Sequence, residues 1–319
     1  MIRTDSSLAA SPPPPRVPSW ALPGGTVDHE TDAAFFAGAA LTSLDTLVRS
    51  EPPWAGAWRQ RLALKCAAAA VRLAGRSEDE SALRDAWYLR PAAGDPGPAG
   101  TILAAWRQLA ARSPVIDTAR LAEVVVLLGL RWDDGFADLP GAINDLVRSG
   151  RPAPFVAAAI ASQIVALSPG AELLAWWCAD LVLAQKLRWP RPVPLLMAQA
   201  FGPAFRTQGA RAAGTRIRPG GEGFEGAVCL ALVQGSADAC GLAGELSRRA
   251  ERLAAVMPKL RAKGAGDAIK KLLDDDAVPG SLTTKTLSRF GARRLFERLQ
   301  TFEAVRELSG RSSFRLYGL

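Results

Sequence analysis

Apolar residues recur every three or four positions over most of the chain, a spacing that places them on one face of an α-helix. Phe36, Ala40, Leu44 and Leu47 show the pattern from Thr31 onward, and a proline pair ends it. This segment therefore predicts a helix. Comparable patterns predict further helices over residues 54–74, 78–88, 99–111, 118–130, 140–148, 154–166, 170–187, 224–235 and 241–263.

Strand patterns are missing from the same region. Before residue 300 we find no run of alternating β-branched residues, and proline, glycine and serine separate the helical segments. Many short Ala- and Leu-rich helices with short connections are typical of an irregular α-helical domain. Residues 1–27 are rich in Pro, Ser and Gly and predict a disordered or extended arm, and the glycine-rich residues 209–223 predict a loop.

The end of the chain follows a different order of elements. Residues 267–275 predict a short helix, 277–282 a turn, 288–302 a strong helix, and 304–308 and 314–317 two short strands. A five-residue loop suited to a hairpin connects the strands. A helix followed by a two-stranded wing is the order of winged helix-turn-helix modules. The predicted fold is therefore mainly α: an irregular α-helical N-terminal domain with a C-terminal winged helix-turn-helix ending in a β-hairpin.

Charge is distributed unevenly between these parts. The chain has a formal net charge of +8, and residues 241–319 hold 16 Lys and Arg against 9 Asp and Glu, an excess of 7. A basic excess concentrated in a small terminal module is typical of polyanion binding, most often DNA. The predicted organisation is an arm at 1–27, an α-helical domain at 28–240, a linking helix at 241–264 and a winged-helix module at 265–319.

The helix at 288–302 separates its apolar and basic residues. Leu295, Phe296, Leu299 and Phe302 share one face, whereas the arginines fall on the other. Guanidinium groups on an exposed helix pair with phosphates or with guanine edges. The residues that we predict to contact double-stranded DNA lie on this helix, at the tip of the wing, and, as weaker phosphate contacts, beside them: Arg289, Arg293, Arg294, Arg311, Lys285 and Arg315.

Catalytic chemistry lacks its usual parts in this sequence. The four cysteines form no C-x-x-C pair, His29 is the one histidine, and no Ser/His/Asp, Cys/His or P-loop arrangement is present. We therefore expect no enzyme activity, no catalytic residue, no metal and no cofactor. The polar start of the chain does not resemble a signal peptide, and 153–187 predicts two buried helices instead of a membrane span. With cysteines in apolar surroundings, a cytoplasmic protein with buried free thiols is expected.

Three weaker patterns leave alternatives open. Gly221–Gly226 matches G-x-G-x-x-G, but no strand precedes it, so a loop is favoured over a dinucleotide site. The aspartates at 133–138 and 274–276 could ligate Mg²⁺ or Ca²⁺, or they could cap turns. The structural role is favoured over metal binding. The tryptophans at 54–58 and 176–177 either stack on a ligand or fill the core, and the core is favoured.

Several phrases of the sequence resemble known families. Pro53-Trp-Ala-Gly-Ala-Trp-Arg-Gln-Arg-Leu, Asp85-Ala-Trp-Tyr-Leu-Arg-Pro and Leu187-Arg-Trp-Pro-Arg-Pro-Val-Pro resemble the bacterial domain-of-unknown-function family 1403, which implies no activity. Gly291-Ala-Arg-Arg-Leu-Phe-Glu-Arg-Leu and Phe314-Arg-Leu-Tyr-Gly-Leu resemble the winged-helix tail of Fic-type proteins. The Fic catalytic motif is absent, so the resemblance implies a tail without that chemistry.

The function expected from these observations is DNA binding through the C-terminal winged helix, as a regulator or an accessory factor of a mobile element. The helical domain is then expected to sense a ligand, to form a homodimer or to bind a protein partner. The first alternative is an interaction scaffold whose winged module binds protein. The second is an enzyme of unknown chemistry.

Overall fold

Helices occupy most of the chain in the computed structural model, which describes residues 12–91, 94–207, 215–260, 264–309 and 313–319. Within these ranges the helices are α1 (Glu30–Ser50), α2 (Ala55–Leu73), α3 (Glu80–Tyr88), α4 (Gly97–Ala111), α5 (Thr118–Leu127), α6 (Leu139–Arg148), α7 (Ala153–Leu167), α8 (Glu172–Lys186), α9 (Leu196–Gln199), α10 (Phe224–Val256), α11 (Ala265–Asp274) and α12 (Arg289–Thr301). Three strands follow the same order: β1 (Val278–Pro279), β2 (Arg306–Glu307) and β3 (Leu316–Gly318). The predicted fold class, mainly α with a terminal β-hairpin, is confirmed.

The helices predicted between residues 31 and 187 are all present, and their ends differ from the predicted ends by a few residues. Side-chain caps define some of these ends. Asp79 accepts a hydrogen bond from the backbone N–H of Ala82 at 2.8 Å, and Asp117 accepts one from Arg120 at 2.7 Å. These caps satisfy donors that the first turn of a helix leaves free. The predicted pair of buried helices in 153–187 is confirmed as α7 and α8.

Helix α10 corrects one prediction. Residues 224–235 and 241–263 were expected to form two helices, whereas the structure has one helix over Phe224–Val256. Glycine lowers helix propensity, which favoured a break near Gly235 and Gly241. Gly235, however, faces the core, where an added Cβ would lie 3.5 Å from Leu195. Close packing along α10 therefore outweighs the local propensity for a break.

Helix α10 also has the composition of a membrane span. Among the described residues, Phe224–Lys259 is the one helix long and apolar enough to cross a bilayer. In its most apolar window, 67% of the residues are buried inside the protein. Since α10 packs along α1 and α7, this apolar surface is used within the fold.

Tryptophan side chains join the helices of the core. Trp58 of α2 is fully buried and donates its indole N–H to the carbonyl of Ala239 in α10 at 2.9 Å. Trp177 of α8 donates to the carbonyl of Ala105 in α4 at 3.0 Å. Trp54 and Trp176 are buried as well, so the core interpretation of these tryptophans is confirmed.

Residues 264–319, which we call the C-terminal module, contain a three-stranded antiparallel sheet in the order β1-β3-β2. Strand β1 is a second correction, because residues 277–282 were predicted to be a turn and no strand was expected before residue 300. Val278 pairs with Tyr317, and Pro279 pairs with Leu316. A two-residue strand is too short to show alternation, and its proline fits only at a sheet edge.

The two faces of this sheet have different partners. Tyr317 points toward α12, where its ring stacks on Phe296 with centroids 4.9 Å apart. Gly318 lies at the contact with the helical domain, where an added Cβ would lie 2.5 Å from the carbonyl oxygen of Asp276 in the module and 2.9 Å from Nη2 of Arg61 in α2. Glycine is therefore required where the sheet meets the helical domain.

A buried ion-pair network at this contact joins the module to the helical domain. Arg61 of α2 donates through Nε to Oδ1 of Asp276 at 2.6 Å, and Arg84 of α3 donates through Nε to Oδ2 at 2.6 Å. Arg61 also donates to the backbone carbonyls of Asp276 and Leu319, each at 2.9 Å. The side chains of Arg61 and Asp276 are only 3% and 2% exposed. Burial opposes ionisation of Asp276, but the two arginines outweigh it and lower its pKa.

A second pair lies beside the first. Arg107 of α4 donates to both carboxylate oxygens of Asp275, at 2.9 and 3.1 Å, and Tyr88 donates its hydroxyl to the same carboxylate. Burial raises the pKa of Tyr88 well above its usual value, so its hydroxyl remains a donor. Three elements of the helical domain thus hold two successive aspartates of the C-terminal module.

Removal of the shared carboxylate tests this contact. Asp276→Ala leaves Arg61 and Arg84 buried without a counter-charge, so we expect the free energy of unfolding to fall by about 3–5 kcal/mol. Urea unfolding followed by tryptophan fluorescence measures the loss. Asp274→Ala is the matched control, since Asp274 forms an exposed pair with Lys270 and its loss should cost less than about 1 kcal/mol. Equal losses for the two variants would contradict the docking role of Asp276.

Asp180 on α8 is an isolated buried carboxylate. It accepts hydrogen bonds from the backbone N–H groups of Leu195 at 2.9 Å and Leu196 at 3.1 Å, at the start of α9. Burial raises its pKa to about 7, against an ordinary value of 3.8, although the two backbone donors oppose the shift. The folded state therefore binds a proton between these pH values that the unfolded state releases.

This raised pKa makes stability depend on pH in a defined direction. As pH rises from about 4 to about 7, the Asp180 contribution to stability should fall, by up to about 1.4 kcal/mol per pH unit, and then remain constant. Asp180→Asn carries no titrating group, so the difference in unfolding free energy should shift in favour of the variant over this interval. Urea unfolding at a series of pH values measures that difference. A difference that stays constant with pH would contradict the raised pKa.

Candidate nucleic-acid interface

Helix α12 presents one buried face and one basic face. Ala292, Leu295, Phe296 and Leu299 are buried against the rest of the module, as the spacing predicts. Phe302, which was also predicted on this face, is 37% exposed, because the helix ends at Thr301. Ser288 caps the other end by accepting a hydrogen bond from the backbone N–H of Gly291 at 3.2 Å. The cap and the buried face together orient the arginines toward solvent.

The predicted contact residues of α12 lie on its exposed face. Arg289, Arg293 and Arg294 are all exposed. Arg293 donates through Nε to Oε1 of Glu297 at 3.0 Å, one helical turn away. No carboxylate among the described residues pairs with Arg289 or Arg294. Two guanidinium groups of this face therefore carry charge that the module itself does not neutralise.

The remaining predicted residues flank the helix. Lys285 is exposed in the segment between β1 and α12. Arg315 precedes β3 and lies 3.6 Å from a carboxylate oxygen of Glu307 on the neighbouring strand. Arg311 lies outside the described residues. The structure thus brings Arg289, Arg293 and Arg315 to one groove and places Lys285 and Arg294 elsewhere on the module surface.

This groove lies between α12 and the β-hairpin and encloses a volume of about 540 Å³. Tyr317 lines it from β3, and the three arginines lie around it. Two aromatic side chains, Phe290 on α12 and Phe314 before β3, also line it and are 74% and 68% exposed. We call this feature the α12–hairpin groove. Neither phenylalanine was predicted as a site residue, although each directly adjoins an arginine (Arg289-Phe290 and Phe314-Arg315).

Two acidic residues of the module are directed away from this surface. Asp275 and Asp276 face the helical domain and are neutralised there by Arg61, Arg84 and Arg107. The net charge counted over residues 241–319 therefore underestimates the positive charge of the outer surface, since two of the negative charges in that count are paired with arginines of the helical domain. Three arginines of the nearly neutral N-terminal part are used for this pairing.

The pairing role of these three arginines was not predicted from the sequence. Each lies in a helix whose neighbouring residues are mostly Ala, Leu or Trp, and Arg61 and Arg84 are among the buried charged residues. A buried arginine needs a carboxylate or carbonyl partner, so charged positions inside apolar helices were the available signal. The partner itself, 215 residues away along the chain for Arg61, was not readable from spacing.

The weaker motifs take structural roles in the described residues. Gly223 adopts φ +73° directly before α10, and no strand among the described residues directly precedes the Gly221–Gly226 segment. Asp133 accepts a hydrogen bond from the backbone N–H of Gly135 at 3.0 Å, which caps a turn. No group of three His, Cys, Asp or Glu side chains suited to a metal ion occurs in the part of the chain that the structure describes. All four cysteines are buried free thiols.

Comparison with known proteins gives a family but no activity. The model of a protein family of unknown function, DUF1403, matches residues 5–319. No curated protein and no solved structure matches the chain. The match extends over both the helical domain and the C-terminal module, in agreement with the resemblance seen in the N-terminal and central phrases. The chain belongs to the DUF1403 family.

Proposed function

We propose that the protein binds double-stranded DNA through its C-terminal module and that this module is a winged helix. Its elements run in the order α11, β1, α12, β2 and β3, and the sheet order β1-β3-β2 places the hairpin beside α12. In winged helices the corresponding helix enters the major groove and the wing contacts the backbone or a neighbouring groove. The segment between β1 and α12 is a turn in place of the second helix of a helix-turn-helix.

This turn has its own internal support. Thr284 accepts hydrogen bonds through Oγ1 from the backbone N–H groups of Thr286 at 3.2 Å and Leu287 at 3.1 Å. Leu287 is buried, so the turn is anchored to the core directly before α12 begins. A hydrogen-bonded turn with a buried anchor supports a defined entry angle for α12 without a separate helix.

One observation carries the proposal: Arg289 and Arg294 are exposed on α12 and have no carboxylate partner among the described residues. Unneutralised guanidinium groups on a rigid helix favour an anionic partner that accepts several hydrogen bonds, as phosphates and guanine edges do. The inward direction of Asp275 and Asp276 supports the same assignment, because it removes repulsion between the module and a polyanion.

The contact residues take different roles in this proposal. Arg293 exchanges its intrahelical pair with Glu297 for a base edge, and Arg289 and Arg294 contact phosphates or bases. Lys285 and Arg315 contact phosphates, and Arg311, which follows β2 in the sequence, contacts the DNA as well. The helical domain supplies a homodimer contact or a surface for a protein partner, and the protein acts in the cytoplasm as a regulator or mobile-element factor without catalysis of its own.

Salt dependence of binding tests the proposal on the full-length protein. Fluorescence anisotropy with random and genomic duplexes should show a loss of about 10³-fold or more in affinity between about 50 and 200 mM salt, as several phosphate contacts require. A protein that binds no duplex at about 50 mM salt would contradict DNA binding.

Single substitutions test the assignment of roles. Arg293→Ala should relax sequence preference at a cost of about 1–3 kcal/mol, whereas Lys285→Ala should weaken all sequences alike and reduce the salt slope by about 1. Lys270→Ala is the control, since Lys270 is an exposed lysine of the same module on α11, paired with Asp274. If the Arg293→Ala and Arg294→Ala double variant binds as tightly as the control, α12 is not the contact helix.

A further inference from the structure

The α12–hairpin groove has an unusual combination of charge and exposed aromatic surface. Phe290 and Phe314 approach it from different elements, one from the first turn of α12 and one from the residues before β3. Their side chains remain mostly in solvent, at 74% and 68% exposure, although burial of a phenylalanine side chain would stabilise the fold. Core packing therefore does not explain either residue.

The backbone at Phe314 adds a second observation. Its φ of +57° lies in the left-handed region, which bulky side chains rarely adopt and which glycine adopts without penalty. Such a strained conformation is maintained where the surroundings impose it, often at binding sites. At this position the strained backbone holds an aromatic ring in solvent at the edge of a cavity.

Charge indicates what the groove accepts. Arg289 has no carboxylate partner among the described residues, and Arg293 and Arg315 lie on the same groove, each paired with one glutamate of the module. A purely apolar ligand would leave the Arg289 charge unused, and a simple anion would leave the two aromatic rings unused. A nucleotide supplies both a phosphate and a flat base, and a volume of about 540 Å³ lies within the roughly 300–1,000 Å³ typical of ligand sites.

We propose that the α12–hairpin groove binds an unpaired nucleotide of DNA. The base stacks on the rings of Phe314 and Phe290, and the phosphates contact Arg289 and Arg315. Aromatic side chains interleaved with arginines are the general means of holding unstacked bases. The module then prefers DNA with an unpaired stretch over a continuous duplex. This inference rests on the proposed DNA-binding function and adds the form of DNA that is recognised.

Matched DNA substrates test the preference on the full-length protein. Anisotropy compares a continuous duplex with the same duplex containing a short internal bubble and with one of its strands. The bubble should bind about tenfold or more tightly than the duplex, the effect expected for stacking one base. With 2-aminopurine in the bubble, binding should change the fluorescence of that base.

Variants separate the groove from the rest of the module. Phe314→Gly removes the ring and suits φ +57°, so the melting temperature should be unchanged or higher while the bubble preference falls about tenfold or more. Phe290→Ala should reduce the same preference. Phe35→Ala is the control, because Phe35 is a 63% exposed phenylalanine on α1 in the helical domain. Duplex affinity should change little in all three variants.

The outcomes distinguish this inference from the proposed function. Equal affinity of the wild-type protein for duplex and bubble, with tight duplex binding, overturns the nucleotide groove and leaves DNA binding intact. A bubble preference that survives both phenylalanine variants also overturns the groove assignment. No binding to any DNA overturns both proposals. Phe290 and Phe314 would then be assigned to a surface for a protein partner.

Discussion

The buried carboxylate of Asp276 is the constraint on which the position of the C-terminal module depends. It is shared by Arg61 and Arg84, which come from two helices of the helical domain, and Arg61 also binds two backbone carbonyls of the C-terminal module. Two buried guanidinium groups without a carboxylate would be strongly destabilising, so loss of Asp276 alone should cost much of the stability of the contact. The network lies beside Gly318, the last residue of β3, and holds the sheet against the helical domain. Because Tyr317 of the sheet stacks on Phe296, the position of α12 is fixed as well.

Docking and surface charge are two results of the same pairing. Asp275 and Asp276 lie in the module, but their negative charges are neutralised by arginines of the helical domain. If these aspartates faced solvent near α12, they would weaken the positive field that favours an anionic partner. The arrangement therefore removes acidic residues from the module surface and uses them for cohesion. The buried ion pairs and the net charge of the module surface therefore depend on the same two aspartates.

Elements of the fold that depend on interactions between residues close in sequence were predicted, whereas those that depend on contacts between distant residues were not. Helices such as α1 and α12 were predicted well, because their apolar stripes are local features. The continuity of α10 depends on close packing against Leu195, and β1 depends on pairing with β3 almost forty residues later. The arginines of α12 were predicted as exposed from helical periodicity alone. The ion pairs of Arg61 and the groove lined by Phe290 and Phe314 required the three-dimensional arrangement, since no local pattern links their members.

Recognition of an extended ligand requires that charged and aromatic groups keep fixed relative positions, because each freely moving side chain must be ordered on binding. Arginine side chains are flexible, so the order must come from the backbone that carries them. In this module the Ser288 cap defines the start of α12, and the Phe296–Tyr317 stack fixes α12 relative to β3. Asp276 fixes the sheet relative to α2 and α3. The left-handed backbone of Phe314 then sets the direction of one ring without a contact in the core. The geometry of the groove therefore depends on contacts that extend from Arg61 and Arg84 in the helical domain, through Asp276 and the sheet, to α12.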